Sequence, residues 1–160
     1  MTNPARRPAQ DGVRSVVRDI IVEDLPPHPP EQVWKALTAE LIGRWLPDDV
    51  ELAVGKSFSF ATRPVGTWDG IVQCEVLEIV SFRRLVHSWE GGADVGNGED
   101  SYGSRLDSVV TWTLQPEGRG TRLRMVHSGF RSPGNDFAYG AMSAGWQRIV
   151  GMISEIAAAQ

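Results

Sequence analysis

From Val50 to Phe130 the chain runs as short stretches of Val, Ile, Phe, Trp and Thr divided by Gly, Pro and polar turns, which commits the middle of the molecule to sheet. The strands expected are "VELAV" (50–54), "KSFSFAT" (56–62), "WDGIVQCEVLEIV" (68–80), "RLVHSWEG" (84–91), "SVVTWTLQP" (108–116) and "TRLRMVHSGF" (121–130). "EGRG" (117–120) supplies a tight turn before the last of them. Their sequential order predicts an antiparallel meander. Ahead of it, "VRSVVRDIIVEDL" (13–25) reads as a further strand despite imperfect alternation.

Helices flank this sheet. Prolines stop the first strand, and Val33, Trp34 and Leu37 then mark a short helix. Thr38 is placed to cap a second short helix, "AELIGRWL" (39–46), which Pro47 ends. At the other end, Met142, Trp146, Ile149, Ile153 and Ile156 recur at three- and four-residue steps, the pattern of one long amphipathic helix over 135–160. The fold class expected is therefore α+β: an antiparallel sheet of about six to seven strands with helices on one side, two short helices after strand 1, and a long C-terminal helix. The glycine-rich, acidic segment "GGADVGNGEDSYGS" (91–104) reads as a loop near an opening, and Gly96 where a calcium loop needs Asp or Asn excludes that motif.

A chain of 160 residues is long enough for one well-buried core, so residues 13–160 are expected to form one domain behind a flexible tail, residues 1–12. A formal net charge of −4 offers no cationic field for nucleic acid or an anionic membrane surface. No apolar stretch reaches membrane-spanning length, so membrane insertion is not expected. Cys74 is the only cysteine, which excludes an intramolecular disulfide and a multi-thiolate zinc site and fits a cytoplasmic location.

No catalytic constellation emerges. His127 and Ser128 are neighbours on a strand and point to opposite faces, and no G-x-S-x-G elbow exists. Cys74 reads as an apolar filler rather than a nucleophile. His28, His87 and His127 are scattered, so no metal site is assigned. Glu75 and Glu78, three apart on a strand, are expected on opposite faces. "GNGEDS" and "GRGTRL" lack the third glycine and the following helix of a dinucleotide loop, so no cofactor is expected.

Aromatic placement is the informative signal. Phe58 and Phe60 share one strand face, His87 and Trp89 another, Trp112 lies on a third, and Met125 and His127 on a fourth. Met142 and Trp146 of the last helix would face them. Most of these residues are expected to be core. Large apolar side chains with a few polar handles are also the make-up of a small-molecule cavity.

"PPEQVWKALT" and "RWL" near the front, "GKSFSF", "EVLEIVSFRRLVHSW", "SVVTWTL", "GTRLRMVHSGF" and the late "GW" (145–146) together resemble the START-like, helix-grip superfamily. That superfamily includes birch-pollen-allergen-like proteins and polyketide cyclases. Within it the chain looks like the branch named for activator of heat-shock-protein-90 ATPase homologues, over roughly residues 16–156. The resemblance implies a curved sheet gripping the last helix with a cavity between.

The function expected is non-catalytic binding of an apolar or amphipathic small molecule by Phe58, Phe60, His87, Trp89, Trp112, Met125, His127, Met142 and Trp146. One alternative is a cyclase- or hydrolase-type enzyme using His127 or His87 as acid or base. A second is a protein-interaction module related to chaperone activators or stress responses. A homodimer is a further expectation, because strand edges invite pairing.

Overall fold

The computed structural model describes residues 17–48, 50–62, 64, 68–92 and 105–160. The expected N-terminal tail, the start of the first predicted strand and most of the 91–104 loop lie outside them. Strands β1 (Val17–Asp24), β2 (Ser57–Ala61), β3 (Ile71–Val80), β4 (Arg84–Gly91), β5 (Leu106–Glu117) and β6 (Gly120–Arg131) form one six-stranded sheet ordered β1-β6-β5-β4-β3-β2. Every adjacent pair is antiparallel. Helix α1 (Pro30–Lys35) follows β1, and helix α2 (Asp136–Ala158) closes the chain and packs across the concave face.

Alternation explains which face is buried. Val72, Cys74 and Val76 of β3, Leu85, His87 and Trp89 of β4, and Val110, Trp112 and Leu114 of β5 all point inward and are buried. Leu123, Met125 and His127 continue the same layer on β6. Helix α2 meets it with Ala138, Trp146, Val150, Ile153 and Ala157, a stripe at helical spacing.

Two irregularities re-aim side chains. At Gly129 the β1–β6 register slips, so Arg18 pairs with Phe130 and Asp19 with Ser128. Gly129 has φ 115°, and a Cβ there would sit 3.1 Å from the Ser108 Cβ and 3.2 Å from the Asp107 carbonyl oxygen. The extra residue turns Phe130 into the core, where its ring meets His127 edge-on at 4.6 Å. Gly129→Ala is expected to cost about 2 kcal/mol from the forced φ and the crowding, measured as a lower urea midpoint. An unchanged midpoint would show that the bulge tolerates a side chain. A second slip lies between Val76 and Glu78 in β3. It brings Glu75 and Glu78 to the same outer face instead of opposite faces, and both are exposed, with Glu78 3.1 Å from the Arg84 guanidinium.

Residues 50–54 form no strand, contrary to the alternation. A turn from the Ala53 carbonyl to the Lys56 amide, with Gly55 at φ 90°, ends the run, and the chain joins β3 only where Gly55 and Lys56 bond to Val76. The two short helices expected after β1 are one unbroken helical run. Helix α1 widens into a π turn over Ala36–Leu41 and tightens into a 3-10 turn over Ile42–Arg44, with helical dihedrals at each junction. Thr38 does not cap a helix start: its hydroxyl donates to the Trp34 carbonyl four residues back. Burial of Val33, Ala36, Leu37, Leu41 and Ile42 keeps the run helical through the site of the expected break.

The start of α2 is tied to the edge strand β1. The Tyr139 hydroxyl donates to the Asp19 carbonyl, and Arg18 lies 4.1 Å over the Tyr139 ring while pairing with Asp136 at 2.8 Å.

Candidate functional site: the sheet–helix interface

The expected site residues all fall on the concave side, and ring contacts join most of them. Phe58 meets His87 at 5.3 Å, Phe60 meets Trp89 at 5.1 Å, and Trp89 meets both His127 (5.1 Å) and Trp146 (5.4 Å). Trp112 meets Trp146 at 5.7 Å. Trp45, which lies in the expected second short helix and is not among the expected site residues, stacks on Phe60 at 4.4 Å and closes the β2 side. Phe60 and Met142 are half-buried; the others are buried. Most of the interface is thus filled by aromatic packing.

Both histidines serve buried indoles. The Trp146 Nε1–H donates to His127 Nδ1 at 3.0 Å, and since an indole only donates, Nδ1 is the acceptor and the ring proton sits on Nε2. That Nε2–H faces the Ser108 hydroxyl at 2.8 Å, and the hydroxyl donates onward to the Trp89 carbonyl at 2.9 Å. A relay therefore runs from α2 through β6 and β5 to β4. His87 repeats the device: Trp112 Nε1–H donates to its Nε2 at 3.2 Å, and its Nδ1–H donates to the Ser88 carbonyl at 2.9 Å.

Burial pushes the His87 pKa down to about 4, with the bond to Ser88 opposing. It pushes His127 down to about 3, with His87 nearby adding to the effect. Both rings are neutral at physiological pH, and each ring nitrogen is already engaged within the protein. Neither has a free lone pair for acid–base work. Cys74 is buried with its thiol pushed up to about 12, first by burial and then by Glu90, so it is no nucleophile near neutral pH. Ser128 donates outward to the Val109 carbonyl, away from His127. No group of three or more His, Cys, Asp or Glu is arranged to hold a metal among the described residues.

Aromatic packing stops at one end of the interface. A cavity of about 30 Å³, space for a water molecule or two, is lined by Thr62, Trp68, Val72, Trp89, Gly91, Gly92, Leu106, Ala138 and Met142. Of the expected site residues, Trp89 and Met142 reach it, while Phe58, Phe60, His87, Trp112, Met125, His127 and Trp146 do not line it. Trp68 and Leu106 are not among the expected site residues: Trp68 heads the expected strand 68–80 but lies before β3 itself, and Leu106 precedes the expected strand start at Ser108. Ala138 lies on the helical stripe two turns before Trp146, a signal that was present and unused.

A curved antiparallel sheet gripping a C-terminal helix, with an aromatic interior and an end cavity, is the helix-grip arrangement of START-like proteins. The family described as activator of Hsp90 ATPase homolog 1-like protein matches residues 27–158, and the chain belongs to that family. Among solved structures, protein MLL2253 from Mesorhizobium loti is 36% identical, with 87% of this chain and 96% of that chain covered and a TM-score of 0.67. CalU16 from Micromonospora echinospora is 24% identical over 86% of this chain and 73% of its own, with a TM-score of 0.57. The Aha1 dimer from Colwellia psychrerythraea, at 17% identity over 86% and 94% of the two chains, has a TM-score of 0.58. No curated protein matches by sequence. No helix among the described residues is long and apolar enough to cross a membrane.

Proposed function

We propose that this domain is a non-catalytic binder of an apolar or amphipathic small molecule, free in a reducing compartment, and that the molecule enters at the end cavity. The observation that carries this reading is the lining: the indoles of Trp68 and Trp89, Val72, Leu106 and Met142 surround the space, and among the described residues no charged side chain lines it. Thr62 and the backbone at Gly91 and Gly92 are the polar handles. His87 and His127 belong to the packed floor and not to the handles.

At about 30 Å³ the resting cavity is smaller than any organic ligand, so binding must displace a lining side chain. A panel of neutral apolar compounds, scored by native mass spectrometry and tryptophan emission, is expected to yield a one-to-one complex. Met142→Trp fills the space and is expected to weaken that complex at least about tenfold, a difference of about 1.4 kcal/mol, with little change in Tm. Absence of any complex across the panel and with extracts of host cells would end the reading.

A second reading, a protein-interaction module, rests on the opposite end of the sheet. There Trp34, Leu46, Leu52 and Ile79 line an open groove, and Phe82, exposed with φ 67°, stands against Trp34. A bulky residue held at positive φ in a solvent-facing turn is a conformation that selection for folding alone does not favour. Stimulation of a purified Hsp90-type ATPase, lost in Phe82→Asp, would support this reading; no stimulation would remove it.

A further inference from the structure

Among the described residues the cavity has three walls, and they differ in what holds them. The floor is sheet, fixed by the β3–β4 and β4–β5 ladders. The roof is helix α2, and lifting its first half requires breaking the Arg18–Asp136 pair, the Tyr139 bond to the Asp19 carbonyl and the Trp146 bond to His127. It would also expose the buried Ala138 and Trp146.

The remaining wall is Trp68. Its one polar tie among the described residues is a bond from the indole N–H to the Ile71 carbonyl at 3.2 Å, three residues away, so nothing in that bond anchors the ring to the rest of the fold. The ring lies against the bare Cα of Gly91, so close that a Cβ there would sit 2.9 Å from its Cζ2 atom. It is half-buried, whereas Trp89 and Trp146 are buried.

Resting on the pocket reading above, we infer that the Trp68 indole is the door of the cavity, swinging off Gly91 to admit a ligand while helix α2 stays seated. Gly91 makes the closed position available, because only a residue without a side chain leaves room for the ring. Met142 and Trp89 then set what fits once the door is open, and Trp68 sets how fast it enters.

The test uses the full chain labelled with 5-fluorotryptophan, whose six indoles give separate fluorine signals, with benzene as probe and Trp68→Phe to assign the door. Benzene is expected to shift the Trp68 and Trp89 signals, to broaden Trp68 alone by exchange, and to leave Trp146 sharp. Gly91→Ala, which forces the ring outward, is expected to speed benzene exchange at least about fivefold and to raise acrylamide quenching of Trp68. If benzene shifts Trp89 while Trp68 stays sharp and Gly91→Ala leaves the rate unchanged, or if Trp146 broadens instead, the pocket stands and the door is overturned. If benzene shifts neither ring, the pocket reading fails; the door is then decided by quenching alone, and an unchanged Trp68 in Gly91→Ala overturns it as well.

Discussion

Replacing His127 with phenylalanine is expected to lower the unfolding free energy by about 3 kcal/mol at pH 8, a large effect for so conservative a change in ring size. Phenylalanine fills the same space, so lost volume does not account for it. What is lost is the acceptor for the Trp146 indole and the donor to Ser108. A buried N–H with no partner keeps the full cost of its desolvation, while Ser108 retains its bond to the Trp89 carbonyl. His127→Gln can offer the indole an oxygen and is expected to cost about half as much. Adding Trp146→Phe to His127→Phe removes the orphaned donor, so the pair should be less destabilised than the sum of the single changes, by about 1 to 2 kcal/mol. Urea unfolding of the four proteins measures this directly; strict additivity would mean that the indole–imidazole bond contributes nothing.

Acid is expected to destabilise the protein as soon as pH falls below about 7. Each buried histidine has a folded pKa below its unfolded value of about 6.5, so the unfolded chain binds the proton more readily. The stability this confers is fully present above about pH 7. It is lost as pH falls through 6.5 and continues to be lost until the folded pKa, about 4 for His87 and about 3 for His127, is reached. At pH 5 the loss is about 2 kcal/mol for each ring, large against a typical domain stability of about 5 to 15 kcal/mol. The urea midpoint should therefore fall steadily from pH 7 to pH 5. In the double variant His87→Gln, His127→Gln the slope over that interval should largely vanish, whatever its starting stability. A wild-type midpoint flat across the interval would refute the assignment of two buried neutral imidazoles.

The hairpin of β5 and β6 was legible because its alternation is strict from Ser108 to Leu114 and from Thr121 to His127 and its turn is glycine-rich. The inward set from Phe58 to Trp146 was legible for the same reason, since periodicity specifies a face. Periodicity fails where the backbone gains a residue. The bulge at Gly129 rotates Phe130 into the core, and the slip after Val76 moves Glu78 to the outer face beside Glu75. The join of the helical run was hidden for a different reason: Thr38 carries a capping side chain, yet tertiary burial on both sides of it outweighs that local preference. The cavity was the least legible feature. Whether space remains at Trp89 or at Trp112 depends on how all layers fill together, and on Trp68, whose place follows from the bare Cα at Gly91 rather than from any pattern around it.

The Tyr139 contact with β1 bears on how copies of this chain can associate. An outer strand with open backbone groups is a template for strand addition, the route to fibrils and swapped dimers. In β1 the Asp19 carbonyl is taken by the Tyr139 hydroxyl, and the Arg18 guanidinium lies across that ring. A strand arriving at this edge would first have to unseat the start of α2. The helix that roofs the cavity therefore also obstructs strand addition at the β1 edge, and any change that loosens it opens both the cavity and that edge.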